Sequence, residues 1–243
     1  MKKCLSGNGL KVIAIGAMTI DHIGYAIVWP LYLAACTVGG VHMMGASRPP
    51  EAMRLYALYT FCRCIGRLAI PIFAYMLVEG FRHTRNVRGY ALRLGLFALI
   101  SEIPYDLMFT GQVFYAYEQN IFWSLLLGLL VLIAQEKWVY AGASGRWWKA
   151  ALIWAAVMAA SGVALLVSAL ALYREKRSWA VVGILAAVAR ISIMGLGWIQ
   201  WLCLAAFPIM ALYNGERGRG NKYFFYTYYP AHLLVLELIG RMI

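Results

Sequence analysis

Long apolar blocks, separated by short loops that collect the charges, run the length of this chain. They predict helices over roughly Leu10–Leu33, Arg54–Glu79, Tyr90–Phe109, Ile121–Gln135 and Lys149–Tyr173, each near the ~20 residues that a membrane-crossing helix needs. The block Trp179–Tyr213 is too long for one span and short for two, and Gly195 and Gly197 near its middle predict a tight turn between two short helices. A last helix is expected over Tyr223–Met242. The pattern predicts an all-α, polytopic transmembrane helical bundle of eight helices, with seven as the alternative, forming one integral membrane domain over residues 1–243.

Composition agrees with that pattern. Hydrophobic residues make up 63% of the chain and charged residues 13%, against about 25% charged in an ordinary soluble domain. The net charge of +12 comes from 22 Lys and Arg against 10 Asp and Glu, and the cations sit between apolar blocks. That placement is a topology signal, so it argues against nucleic acid as a partner and for membrane lipids. Lys2, Lys3 and Lys11 precede the first block, and Arg82, Arg85, Arg88 and Arg93 follow the second, which makes both segments cytoplasmic. The loop with Gly39, Gly40, Pro49 and Pro50 and the loop Gln112–Gln119 then lie outside, and Lys137, Arg146 and Lys149 lie inside again. Eight helices place both Arg174–Arg177 and Glu216–Arg219 outside, against the charge bias, whereas seven bring the second of these inside. The basic start MKKCLSGNGLK resembles a signal peptide, but its apolar run is long, holds Asp21 and His22 and lacks a small-x-small cleavage site, so it is expected to stay as the first span. The five cysteines are scattered without metal-ligand spacing, so neither a zinc site nor a disulfide framework, nor any other metal, is expected.

Ionisable side chains inside these blocks carry the candidate chemistry. Asp21 and His22 stand near mid-span in KVIAIGAMTIDHIGYAIVWP, where charge is costly unless it faces a protein interior or a wet cavity. Helix–helix glue would also explain the pair. An Asp beside a His can fix its tautomer and raise its basicity, as a general base requires. Arg63 and Arg67 lie one turn apart on one face, Pro71 is expected to kink their helix, and Glu79 closes it near Arg82 and Arg85. Glu102 and Asp106 share a face on either side of Pro104, with Arg67 and His22 as available partners. Asp106 equally fits a solvated interfacial position, and Asn120 equally fits a helix cap. A second embedded histidine, His232, follows Tyr229 and Pro230 in the last block. With no G-x-S-x-G, H-E-x-x-H or P-loop, hydrolase, zincin and nucleotide triphosphatase readings have no foothold.

The motifs KVIAIGAMTIDHIG, GRLAIPIFAYMLVEGFRHTRNVRGYALRL, SEIPYDL, QNIFWSLLLG and LYNGERG with KYFFYTYYPAHL, in this order, closely resemble the TraX family from Lys11 to about Leu236. That family is named for the conjugation protein that acetylates the pilin N-terminus, and it resembles the wider acyltransferase-3-like superfamily of membrane acyltransferases that use acyl-coenzyme A. The resemblance implies a bacterial cytoplasmic-membrane protein with a cytoplasmic N-terminus that moves an acetyl group from acetyl-CoA to an amine or hydroxyl of a pilin or envelope-polymer acceptor. The histidine that activates the acceptor in those relatives falls on His22. At the stretch Leu172–Arg190 the sequence departs from the family pattern, with Arg177-Ser178-Trp179-Ala180 at the turn.

On this reading His22 is the base, oriented by Asp21; Arg67 steadies the oxyanion or the donor; and Glu102 and His232 complete the pocket. Arg82, Arg85, Asn86 and Arg88 are the expected binders of the coenzyme A phosphates, although as arginines in a loop they also fit a topology signal alone. Asp106, Asn120 and Tyr229 are the expected substrate-binding residues. A polar tunnel should join the Arg82–Arg88 loop to His22. A proton-coupled transporter or flippase that uses Asp21 and His22 as a relay is the alternative, and a purely structural part in a secretion assembly is a third.

Overall fold

A computed structural model describes residues 3–38, 41–42, 48–137, 161–175, 180–194 and 197–243 of the chain. Regular structure among them is helical apart from a two-residue antiparallel ladder, Thr37–Val38 against Val41–His42. The first block forms α1 (Gly7–Ile23), a π-helical turn (Gly24–Val28) and α2 (Trp29–Ala35). Ser6 opens α1 by accepting the Gly9 N–H at 3.2 Å. The wide turn sits just before Pro30, which has no N–H to offer the Ala26 carbonyl and whose ring needs the extra room.

The block expected as a single kinked helix is two, α3 (Pro50–Gly66) and α4 (Ala69–His83). Pro71 has no N–H for the Arg67 carbonyl, and its ring would strike it, so the kink becomes an interruption at Arg67 and Leu68. Tighter bonds close the gap, from Arg67 N–H to the Cys64 carbonyl at 3.3 Å and from Leu68 N–H to that of Ile65 at 3.1 Å. The stretches Gly7–Ala35 and Pro50–His83 are the two among the described residues that are long and apolar enough to cross a membrane.

Asn86 caps α5 (Val87–Thr110) by accepting the Gly89 N–H at 2.7 Å; the helix carries Pro104 inside it and ends at Gly111, whose φ of 71° suits glycine. α6 (Ile121–Gln135) follows. The helix expected over Lys149–Tyr173 differs. It begins at Gly162, as α7 (Gly162–Arg174), with Ser161 Oγ accepting the Ala164 N–H at 3.3 Å; residues 149–160 lie outside the described residues. The apolar block runs straight across this start, and only the Ser-Gly step marks it.

α8 (Ala180–Met194) precedes a 3₁₀ helix (Gly197–Ala205) that passes into α9 (Ala206–Ala211), and α10 (Lys222–Gly240) ends the bundle. Gly197, with φ at 58°, makes the expected turn; Gly195 lies outside the described residues. The 3₁₀ stretch rises about 2.0 Å per residue, so 197–211 extends over about 27 Å, which lets a short block reach as far as a full span.

α7 is buried on every side from Ala164 to Ala171 and packs among α4, α6 and α8, as a helix that is apolar all round should. It runs parallel to α6. Ser161 Oγ lies 3.4 Å from Ser124 Oγ, Val167 packs on Gly128, and Gln135 Nε2 donates to Ser168 Oγ. Arg174 therefore returns to the end of the bundle that holds Gln135, and this corrects the expected sidedness. Gly7 and Asn8 N–H donate to the Glu216 and Arg217 carbonyls at 2.7 and 2.9 Å, Arg174 Nε meets Glu79 Oε1 at 2.6 Å, and Arg82 lies 3.8 Å from Glu175. Arg174 and Glu216–Arg219 thus lie at the same end as the start of α1 and Arg82. The expectation that eight helices leave them at the opposite end fails because α7 runs in the reverse direction to the one assumed for Lys149–Tyr173.

Candidate functional site

His22 near the end of α1 and His232 in α10 meet inside the bundle, with His22 Nδ1 2.7 Å from His232 Nε2. The other ring nitrogen of His232, Nδ1, lies 2.9 Å from the Tyr228 carbonyl, which can only accept. With both rings neutral, His232 Nδ1 carries its proton, its Nε2 accepts from His22 Nδ1–H, and the lone pair of His22 stands on Nε2. Aromatic rings hold the pair. Tyr228 stacks on His232 at 5.0 Å, and Phe109 meets His22 edge-on at 5.6 Å. Thr19 Oγ1 donates to the Ile15 carbonyl at 2.8 Å, so the 2.8 Å contact between Thr19 and the Tyr228 hydroxyl has tyrosine as donor.

Asp21 does not orient His22. Its carboxylate turns to α3, with Oδ2 2.7 Å from Arg63 Nη1 and Oδ1 2.7 Å from Arg67 Nη2. Neighbours in a helix project ~100° apart, so Asp21 and His22 serve different faces. Arg67 also donates to the Arg63 carbonyl at 3.0 Å and to Gln200 Oε1 at 3.1 Å, which ties α1, the α3–α4 break and the 3₁₀ helix together. Each of its three nitrogens donates once in this way, which makes Arg67 a clamp between these elements. Gly66 makes room for Asp21: a Cβ there would overlap the carboxylate.

Glu102 and Asp106 do not pair with Arg67 or His22. Glu102 Oε2 accepts from Asn120 Nδ2 and, at 2.9 Å, from Trp123 Nε1. Asp106 is fully buried rather than solvated, and its Oδ2 accepts the Tyr115 N–H at 2.7 Å, so it folds the loop after α5. Asn120 caps α6 by accepting the Phe122 N–H at 3.0 Å and also donates to the Ala98 carbonyl at 2.8 Å. These residues form a second polar group that fastens α5 to α6.

A cavity of about 420 Å³ opens at the end where the loop cations gather. Lys11, His83, Arg93 and Arg217 stand on its walls, Phe73, Leu77, Leu94 and Leu125 line its middle, and Met18, Ile121, Phe122 and Tyr229 reach furthest toward the histidines. Tyr229 belongs to both sites, because it lines the cavity and sets its ring edge-on to His22 at 6.5 Å and to His232 at 5.6 Å. The expected polar tunnel to His22 is not found among the described residues: what is present is a cavity with a cationic mouth and an apolar middle, and neither His22 nor His232 lines it. Its mouth is not the expected one. Arg82, Arg85 and Arg88 are exposed and absent from the lining, and Asn86 is used as the α5 cap. Glu79, expected near Arg82 and Arg85, pairs with Arg174 instead.

In the sequence Lys11, Arg93 and Arg217 look only like topology signals, and Gln200 does not stand out as a site residue. Three of the four had a signal: Lys11 and Arg93 lie inside apolar blocks that are helical, and Gln200 is a lone amide within an apolar run; Arg217, in a loop, had none.

The family described as "TraX protein" matches residues 6–240. A curated relative from Dichelobacter nodosus, "Probable fimbrial assembly protein FimC, serogroup H1", is 28% identical over 254 residues, covering 93% of this chain and 92% of that protein. No solved structure matches the chain.

Proposed function

The chain belongs to the TraX family, and we propose that it serves pilus or conjugative assembly as a multi-pass membrane acyltransferase. In this reading it moves an acetyl group from acetyl-CoA to an amine or hydroxyl of an envelope acceptor such as a pilin N-terminus. The observation that carries it is the His22–His232 pair, held by the Tyr228 carbonyl so that a lone pair stands on His22 Nε2, beside a cavity with a cationic mouth. The name of the fimbrial relative favours the pilin setting.

A membrane setting accounts for the outer surface. Leu92, Leu96, Leu99 and Ile103 form one stripe on α5, each more than half exposed, which water would not favour and lipid would. The bundle end bearing Lys11, Arg82, Arg85, Arg88, Arg93, Arg174 and Arg217 would face the cytoplasm of a bacterial inner membrane.

In the proposed step, His22 Nε2 takes the proton of the acceptor N–H or O–H as that atom attacks the thioester carbonyl. A tetrahedral oxyanion forms; the carbon–sulfur bond then breaks, and the coenzyme leaves as a thiolate that takes the proton back from His22. His232 is the positioning residue. Tyr229 lines the cavity and touches both histidines, so in this reading the thioester passes its ring to reach His22.

The test uses the purified full-length chain in lipid nanodiscs with labelled acetyl-CoA and a pilin N-terminal peptide. Label should pass to the peptide with the wild-type chain and not with His22→Gln. Transfer that persists in His22→Gln would sink the assignment, and proton-driven solute uptake without transfer would favour a carrier.

A further inference from the structure

Two buried polar atoms on residues that line the cavity lack partners among the described residues. Glu79 is 4% exposed; its Oε1 is held by Arg174 Nε at 2.6 Å, and its Oε2 has no hydrogen bond. On α5, Arg93 keeps Nε buried and without a hydrogen bond among the described residues, with its guanidinium over the Tyr90 ring at 5.8 Å. One is an acceptor and the other a donor, so a matching occupant offers a hydrogen-bond donor to Glu79 and an anion to Arg93. Lys11 and Arg217 stand on the same walls and add to the pull on an anion.

We propose that this cavity seats the phosphopantetheine arm of the acyl donor, with Arg93, Lys11 and Arg217 on its phosphate and Glu79 as the residue that selects the arm. The inference rests on the acyl-transfer reading. Glu79 lies one turn inside His83, so it meets whatever follows the phosphate inward. In a glycerophospholipid the groups just inside the phosphate are ester oxygens, which only accept and which a carboxylate repels. In phosphopantetheine they are a hydroxyl and two amide N–H groups, which donate. Beyond Glu79 the wall turns apolar at Phe73, Leu77, Leu94 and Leu125, which admits a slender neutral arm and its acyl group and ends at Tyr229.

The test measures binding of coenzyme A, and of adenosine bisphosphate, which has phosphates but no pantetheine arm, to the full chain in nanodiscs. Coenzyme A should bind the tighter of the two. Glu79→Gln should weaken coenzyme A about tenfold and leave the bisphosphate unchanged, whereas Arg93→Gln should weaken coenzyme A by a similar factor. Coenzyme A carrying a photoreactive group on its pantetheine arm should label α4 and α5 of the unmodified chain, which bypasses any folding defect of a variant. Labelling confined to other helices, unchanged coenzyme A affinity in both variants, or displacement of coenzyme A by phosphatidylglycerol would each overturn the proposal. Binding as described without acetyl transfer would refute the reaction and leave the site standing. Transfer with an unaltered KM for acetyl-CoA in both variants would refute the site and leave the reaction standing.

Discussion

His22 owes its proposed tautomer and orientation to His232, not to the aspartate beside it. A donor–acceptor chain runs from His22 Nδ1–H to His232 Nε2 and from His232 Nδ1–H to the Tyr228 carbonyl. General-base assistance of this kind contributes about 10²- to 10⁴-fold. His22→Gln should lower acetyl transfer by that order while coenzyme A binding holds. His232→Leu should lower it as well, and His232→Gln should recover part of the loss, because its Oε1 can accept from His22 Nδ1–H; equal loss in the two His232 variants would argue against a positioning role. Asp21 has a different part. It neutralises one of two buried arginines, and removing one partner of a buried ion pair costs about 3 to 5 kcal/mol. Asp21→Asn should therefore lower the melting temperature in detergent markedly, and a variant as stable as the wild type would contradict the clamp. The chain made Asp21 and His22 visible, since charge in an apolar block is conspicuous. Their partners were not visible, because Arg63, Arg67 and His232 come from helices far along the sequence.

Breaks and close approaches decide how the elements meet. The interruption at Arg67 and Leu68 turns the Arg67 side chain back to the Arg63 carbonyl and across to Asp21. Gly66 lets α3 approach Asp21, and Gly24 brings the π-helical turn against Cys62, where a Cβ would come within 2.7 Å of the cysteine Cβ. Gly66→Ala should force α1 and α3 apart, at the ~1 to 3 kcal/mol typical of overpacking, with a lower melting temperature as the readout. Most helices and the turn at Gly197 were readable from apolar blocks and turn residues. The α3–α4 break was foreshadowed by Pro71 as a kink, but the start of α7 at Gly162 was not, because hydrophobicity continues unchanged across it.

At the scale of the whole molecule, the direction of α7 sets the topology. Single cysteines introduced at Ser6, Glu175 and Arg219 in a cysteine-free chain should react with an impermeant thiol reagent from the same side of the membrane, and one at Gln112 from the other. Labelling of the Glu175 position from the Gln112 side would refute the arrangement. The charge bias foretold where Lys11 and Arg82–Arg93 gather and also favoured Arg174 and Glu216–Arg219 at that end; what misled was the Lys149–Tyr173 block, which reads as one span.

The sequence by itself determined a helical chain of apolar blocks, the residues whose charge inside those blocks needs explaining, and the family to which they point. Local chemistry suffices for these, because helix-forming blocks, prolines, glycines and misplaced charges act within a few residues of themselves. Tertiary structure alone decided that Asp21 turns to Arg63 and Arg67, that His22 pairs with His232, and that Lys11, Arg93 and Arg217 rather than Arg82, Arg85 and Arg88 stand around the cavity. A side chain's partner depends on helix rotation and packing direction, which contacts between segments 42 to 210 residues apart in the chain settle together.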